Sequence, residues 1–519
     1  MQNKIFRLLF VSFALLFFVS FSNPEPVQAT DTDDYVMLVY DSKNTTAGSE
    51  KQIDALQRAL TSMNLRVKTV DQADYKSGML TKKYFGVISM VNWKQMGFTN
   101  KKFLKDRNNF SGIKLHIGND LSGYEASELG AKSVDLYQQQ LILENKKSNQ
   151  MLPFSETITV LDNLSKESQM IGTLRTQQAD QKTYGYGVIN GKYGYLPYFS
   201  SKGLSYLTAV EMIAKLFSKQ GSYQPILTVT GVTPVSDLKI LDQVSQFCYK
   251  NSIPFAVSTT SVSNNTGMKA FARFVSELRN VENRGGVVFI KSPEVGGAGV
   301  GSANELRQDL TSYVVSLAKY QVYPIGISTD GFWNQDKILR KNFLMNANHW
   351  LLLPNGKVTY IDQDNNSQIA HTSFLGISAS SLNSVNKSYE TRFSTPTAIY
   401  IPLPHSNKEL VDFKEQINKL DFSWFNPMEV KMSTAINTGT STVSFRDGNY
   451  FVNGKQENIG TADSSSVFSE KIKEKPLLSN YFNIQGSILT ILFVIVTIVL
   501  IIFILMGRRI YWNRFNKRK

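Results

Sequence analysis

From residue 488 to 506 the chain runs almost unbroken through Ile, Leu, Val and Phe, with Thr490 and Thr497 as its only polar side chains and no charge. A bilayer core takes about 20 such residues as a helix, because every backbone group must find its partner within the segment. The run predicts a transmembrane helix at 487–507, and a spanning helix divides the rest of the chain between two sides. Arg508, Arg509, Arg514, Lys517, Arg518 and Lys519 follow it with no acid among them, so the tail 508–519 is expected in the cytoplasm, with Tyr511 and Trp512 near the interface. At the other end, Lys4 and Arg7 precede an apolar run at 8–21, then Pro24, Pro26 and the small Ala29. This is the three-part design of a secretory signal, predicted at 1–29 with cleavage after Ala29. Everything between is expected outside the cell membrane as a single-pass ectodomain.

The net charge of +14 over 519 residues looks like that of a nucleic-acid binder until it is divided along the chain. Residues 1–29 carry +1 and the tail +6, which leaves +7 spread over the long middle without a basic run. Nucleic acid is therefore not expected as a partner. The single cysteine, Cys248, excludes an internal disulfide and any paired thiolate site; beside Phe247 on a helix it reads as buried packing. An exported, Lys- and Asn-rich chain without disulfides suits a Gram-positive envelope.

The first ectodomain segment, 30–222, alternates apolar strands at 35–40, 65–70, 84–90 and 114–117 with helical stretches. In the first helix, capped by Ser49, the residues Ile53, Leu56, Leu60 and Met63 share one face. Asn190-Gly191 marks a hairpin and 204–217 an amphipathic helix. The pattern predicts an α/β domain of flavodoxin-like or amidotransferase-like shape. The loop 41–48 lacks the glycine spacing of a phosphate cradle, and no nucleophile elbow supports amidotransferase chemistry.

From 223 to 435 strands and helices keep alternating: strands at 226–230, 254–259, 286–290, 323–327, 350–353 and 398–401, with helices starting at Asp237 and spanning 268–281 and 303–319. This is the rhythm of a β/α barrel, with an incomplete set of strands. Alternating residues around Asp447-Gly448 predict a small β-module at 436–460, and the Ser-rich, charged stretch 461–486 a linker to the membrane.

Gly231-Val-Thr-Pro-Val-Ser-Asp-Leu, then Ile253-Pro-Phe-Ala-Val, then Arg284-Gly-Gly-Val-Val-Phe-Ile resembles the polysaccharide-deacetylase-like family called DUF2334, over roughly residues 224–430. The whole layout is similar to membrane-anchored family members of Gram-positive exopolysaccharide systems, and to the deacetylase half of proteins that process Pel-type polysaccharide. In active relatives the first strand ends in paired aspartates and the Gly-Gly strand in His-x-x-x-His. Together they hold a divalent metal that polarises the acetamide and activates water. The resemblance places Thr230 and Gly231 at the aspartate positions, and Lys291 and Val295 at the histidine positions. An ammonium repels a cation and a valine has no lone pair, so the expectation is a degenerate site with no metal and no cofactor.

His116, His349, His371 and His405 show no ligand spacing in the sequence. The carboxylates that could support another hydrolytic chemistry are Asp330, Asp237 and Glu294, with Asp237 also a helix cap and Glu294 also a loop charge. Trp333, Phe332, Tyr323 and Trp424 are the candidates for stacking on sugar rings, set against a role in packing. The expectation is a non-catalytic carbohydrate-binding or scaffold protein of exopolysaccharide or envelope production, with extracellular polysaccharide, the membrane and a glycosyltransferase or synthase complex as partners. A hydrolase or deacetylase with a non-standard carboxylate site is the alternative.

Overall fold

The computed structural model describes residues 35–43, 48–93, 97–177, 182–260, 266–295, 299, 301–356, 363–459 and 479–515. The expected signal peptide lies outside them.

The chain begins with strand β1 (Tyr35–Tyr40), helix α1 (Ser49–Ser62), β2 (Arg66–Asp71), β3 (Tyr84–Met90), α2 (Lys101–Asn109), β4 (Ile113–Ile117) and the short α3 (Gly123–Glu128). A β-rich stretch follows: β5 (Lys132–Tyr137), β6 (Leu141–Asn145), β7 (Ser148–Met151), β8 (Thr157–Asp162), β9 (Gln169–Thr176), β10 (Thr183–Asn190) and β11 (Tyr193–Leu196), closed by α4 (Gly203–Leu216). Nine of these strands form one sheet in the order β2-β1-β3-β4-β11-β10-β9-β6-β7, and β5 pairs with β8 separately. The half from β2 to β11 is parallel and the remainder antiparallel. The predicted hairpin joins β10 to β11, where Gly191 takes the positive φ of 54° that the turn needs. Helix α1 starts one residue earlier than a Ser49 cap would place it: Gly48, in the left-handed region, is the N-cap and Ser49 the first helical residue.

The second half closes a barrel of seven parallel strands in sequence order: β12 (Ile226–Val232), β13 (Phe255–Thr260), β14 (Val287–Lys291), β15 (Gly326–Asp330), β16 (His349–Leu353), β17 (Thr372–Ser378) and β18 (Thr397–Pro402), with β18 returning to β12. Helices α5 (Leu238–Lys250), α6 (Lys269–Asn283), α7 (Ser302–Lys319) and α8 (Lys337–Asn342) follow the first four strands, and α9 (Asn407–Asn418) follows β18. Strands with both faces covered need apolar residues throughout, and the central residues of β13, β14 and β16 are all buried. Cys248 is fully buried on α5, and burial pushes its thiol up to about 12.

No α-helix follows β16 or β17 among the described residues. The cover comes from the first half of the chain, because α1 packs on β17. Its apolar residues Ile53, Leu56 and Leu60 are buried, and so are the polar Asp54, Gln57, Arg58, Thr61 and Ser62. The segment before β17 also docks along the edge of β2: Ser367 exchanges bonds of 2.8 Å with Val67, and the Thr69 amide donates to the Asn365 carbonyl at 2.8 Å. The two halves predicted as separate domains thus share one compact unit.

Strands β19 (Ser433–Asn437), β20 (Thr442–Arg446), β21 (Asn449–Val452) and β22 (Lys455–Glu457) form a four-stranded antiparallel sheet. Its second turn is Asp447-Gly448, both at positive φ. Helix α10 (Ser479–Phe515) is described by itself: it begins inside the predicted linker and continues into the basic tail. Residues Leu492–Ile510, with mean hydropathy 2.5, are long and apolar enough to cross a membrane once.

Candidate functional site at the barrel mouth

In a β/α barrel the strand carboxyl ends and the loops after them carry the chemistry. Here β12 ends in a bulge between Val229 and Val232, where Gly231 sits exposed at φ 77° and Thr230 is half-buried. The end of β14 presents Lys291 and the end of β15 Asp330, and these neighbours form an ion pair, Nζ to Oδ1, both about one-fifth exposed. Val295 packs against the core and Glu294 is exposed. Asp237 is the exposed N-cap of α5, its carboxylate accepting from the Lys239 amide at 2.9 Å and the Ile240 amide at 3.4 Å. The metal implied by the family resemblance does not fit: at the four positions stand a threonine, a glycine, a valine and an ammonium already bound to a carboxylate. Among the described residues no three His, Cys, Asp or Glu side chains come together as a metal site.

A cavity of about 710 Å³ lies beside this ion pair, between the first turns of α1 and the carboxyl ends of β16, β17 and β18. Asp54, Arg58, Asn355, Ser378 and Tyr400 are in its wall. Arg58 Nε donates to Asp54 Oδ2 at 3.0 Å, and its Nη1 donates to the Gly376 carbonyl of β17 at 3.1 Å. Asp54 Oδ2 also accepts from the Asn355 amide at 3.4 Å, while Oδ1 has no partner. That orphaned oxygen rests on Gly331, where a side chain would collide with it. Burial drives the Asp54 carboxyl above the usual carboxylate range, and the Arg58 guanidinium opposes the rise without cancelling it. Asp330, also acidic, pushes in the same direction as burial. The Tyr400 phenol is raised, first by burial. A Cβ on Gly356, at the rim, would stand 3.9 Å from Asp330 Oδ2, so the cavity and the ion pair adjoin.

The aromatic candidates are elsewhere. Trp333 and Phe332 follow β15, but at 1% and 2% exposure neither offers a face to a sugar; Trp333 packs on Phe343 with ring centroids 5.2 Å apart. Tyr323 precedes β15 at the opposite end of the barrel, 2% exposed, its ring 5.4 Å from that of Tyr450 and its amide donating to Glu282. Trp424 is also at that end, half-buried against Phe422 and next to Phe425, whose amide donates to the Pro225 carbonyl.

Asp54 and Arg58 carried no signal in the sequence, since helix α1 reads as an ordinary amphipathic helix with a solvated polar face. Two histidines far apart in the sequence also meet in the fold. His349 opens β16 and His371 immediately precedes β17, so strand pairing brings their rings to 5.4 Å.

No family model matches the chain, and no curated protein does. Similar solved structures include a CE4 family pseudoenzyme from Bacillus anthracis (9% identity, 38% of this chain and 62% of that one, TM-score 0.23). A mutant CE4 pseudoenzyme with restored activity matches at 7% identity over 38% of this chain and 64% of that one, TM-score 0.23. A glycoside hydrolase family 30 xylanase from Clostridium acetobutylicum matches at 10% identity over 45% and 80%, TM-score 0.26. The chain spans less than two thirds of the two pseudoenzymes.

Proposed function

We propose that this protein is a non-catalytic, membrane-anchored carbohydrate-binding or scaffold component of exopolysaccharide or envelope polysaccharide production, and that the barrel-mouth cavity holds the glycan. The observation that carries this reading is the Lys291–Asp330 ion pair at the strand ends. Fixed charge neutralises fixed charge where the resembled deacetylases need an open divalent cation, so no bound water is activated there. The adjoining cavity has the volume of a small-ligand site and hydroxyl, amide and charged groups for sugar hydroxyls. The family resemblance supplies the rest: the layout of signal, ectodomain and final helix supports display at the outer face of a Gram-positive membrane beside a polysaccharide synthase, and the parallel half of the first sheet supports a flavodoxin-like reading of the first domain.

The test uses the full chain in detergent with N-acetylated glucosamine oligosaccharides. Binding is expected without acetate release, whether or not zinc is added, and Gly356→Trp, which fills the rim, should abolish it. Acetate release that depends on zinc would refute the reading.

One observation favours a second reading. Asp54 and Asp330, the latter paired with Lys291, are two carboxyl groups beside one cavity, the residue types a glycan hydrolase uses. Cleavage of a glycan that disappears in Asp330→Asn would establish that alternative.

A further inference from the structure

The opposite end of the barrel has its own cavity, of about 740 Å³, where β16 and β17 begin, walled also by the end of α1, the segment before β12 and residues 430–433. Among the described residues its charged lining has one sign: Lys219, Arg392 and Lys431 contribute to it, and no Asp or Glu does. Apart from these cations the wall offers sugar-sized chemistry. Phe374, Phe425 and Met432 give it apolar surface. Ser373 lies in the wall at 1% exposure, its hydroxyl buried and without a partner.

His349 and His371 complete the wall, their ring planes inclined by 33°. Burial and then the neighbouring His371 pull His349 down to about 3, so it is neutral near pH 7. Its Nδ1 lies 2.9 Å from Asn348 Oδ1, an oxygen that also accepts the Ala435 amide at 2.7 Å. That oxygen fixes the proton on Nδ1 and leaves Nε2 as an acceptor, suited to the hydroxyls of a ligand rather than to its anionic group.

We propose that this second cavity binds a sugar-sized anion, a carboxylate or phosphate carried on a hydroxylated ring, with Arg392 and Lys431 holding the charge. Both cationic side chains are exposed, so they can be reversed without disturbing the core. The cavity is separate from the one at the mouth and the proposal stands independently of the function assigned there.

The experiment is calorimetric titration of the full chain, in a detergent without a sugar headgroup, with glucuronate, glucose 1-phosphate and glucose. At least one of the two anions should bind at least tenfold tighter than glucose. Binding of glucuronate alone would identify a carboxylate ligand, and of glucose 1-phosphate alone a phosphate. The double variant Arg392→Glu/Lys431→Glu should weaken that binding tenfold or more with its urea midpoint unchanged, and Gly356→Trp should leave it intact. The proposal is overturned if neither anion binds, if glucose binds equally well, if charge reversal has no effect, or if Gly356→Trp removes the binding.

Discussion

The Arg58–Asp54 pair joins the two halves of the ectodomain, and Arg58→Met tests what it contributes. The side chains are 3% and 6% exposed, so the substitution leaves a carboxylate without its countercharge in a dry site. It removes the 3.0 Å bond to Asp54 and the 3.1 Å bond to Gly376, and leaves Asp54 with one backbone donor at 3.4 Å. Methionine keeps most of the volume, so the loss is electrostatic rather than a cavity. Removing one partner of a buried pair costs about 3–5 kcal/mol, whereas replacing both with apolar residues is often neutral. Urea unfolding of the full chain in detergent, followed by the emission of the buried Trp333 and Trp350, measures the change.

The pH dependence makes the test sharper. The Asp54 carboxyl is already raised in the folded protein by burial, and Arg58 is the main opposing influence. Without Arg58 it rises further. An acid whose folded value lies above its unfolded value keeps a proton that the unfolded chain releases, so stability is fullest below the unfolded value and falls as pH rises through the folded one. The Arg58→Met penalty should therefore be smallest near pH 4 and largest at pH 7. Asp54→Leu/Arg58→Met should recover most of it. A loss below about 1 kcal/mol at pH 7, against the roughly 3–5 expected, or a double variant as unstable as the single one, would show that the pair does not hold the halves together.

Three further outcomes follow from particular contacts. Burial lifts Glu282 to about 8, so wild-type stability should decline between pH 5 and 8; Glu282→Gln, which can still accept the Tyr323 amide, should flatten that decline in urea midpoints. Trp333→Ala should cost about 3–5 kcal/mol in the same unfolding assay, because it empties a closed site among Phe332 and Phe343. Gly331→Ala places a Cβ against Asp54 Oδ1 and 3.0 Å from Arg58 Cγ and Cδ, and should cost about 1–3 kcal/mol, with faster proteolysis between the halves.

What the sequence disclosed and what it hid divide along a physical line. Barrel strands buried on both faces, such as Val287–Lys291 and His349–Leu353, read as apolar runs, and the incomplete barrel was expected from their spacing. Strand β17, Thr-Ser-Phe-Leu-Gly-Ile-Ser, escaped notice because hydroxyls and a glycine break its run and no helix precedes it. Strands β5 to β9 were missed for a similar reason: several are half-exposed and polar, with weak alternation. Lys291 and Asp330 were both singled out, one as a lost ligand and the other as a stray acid, but their pairing depends on adjacent strands whose ends are 39 residues apart in the chain.

The deeper limit is helix α1. Periodicity assigns a helix one buried face, and a polar stripe of Asp54, Gln57, Arg58 and Thr61 signals solvent unless another surface covers it. Among the described residues no α-helix follows β16 or β17, and α1 serves two cores at once, apolar residues toward its own sheet and polar residues toward the barrel. Some polar groups on that second face are met within the helix, Arg58 by Asp54 and Thr61 by the Gln57 carbonyl, but others reach Gly376, Asn355 and Thr69, which lie outside α1 and any local motif. Burying a polar face rather than an apolar one fixes the orientation of the two halves through hydrogen-bond geometry, since a shift of one residue along α1 would part Arg58 from the Gly376 carbonyl and Asp54 from the Asn355 amide. The mouth cavity exists because of that orientation, so its lining is drawn from segments that no single stretch of sequence contains.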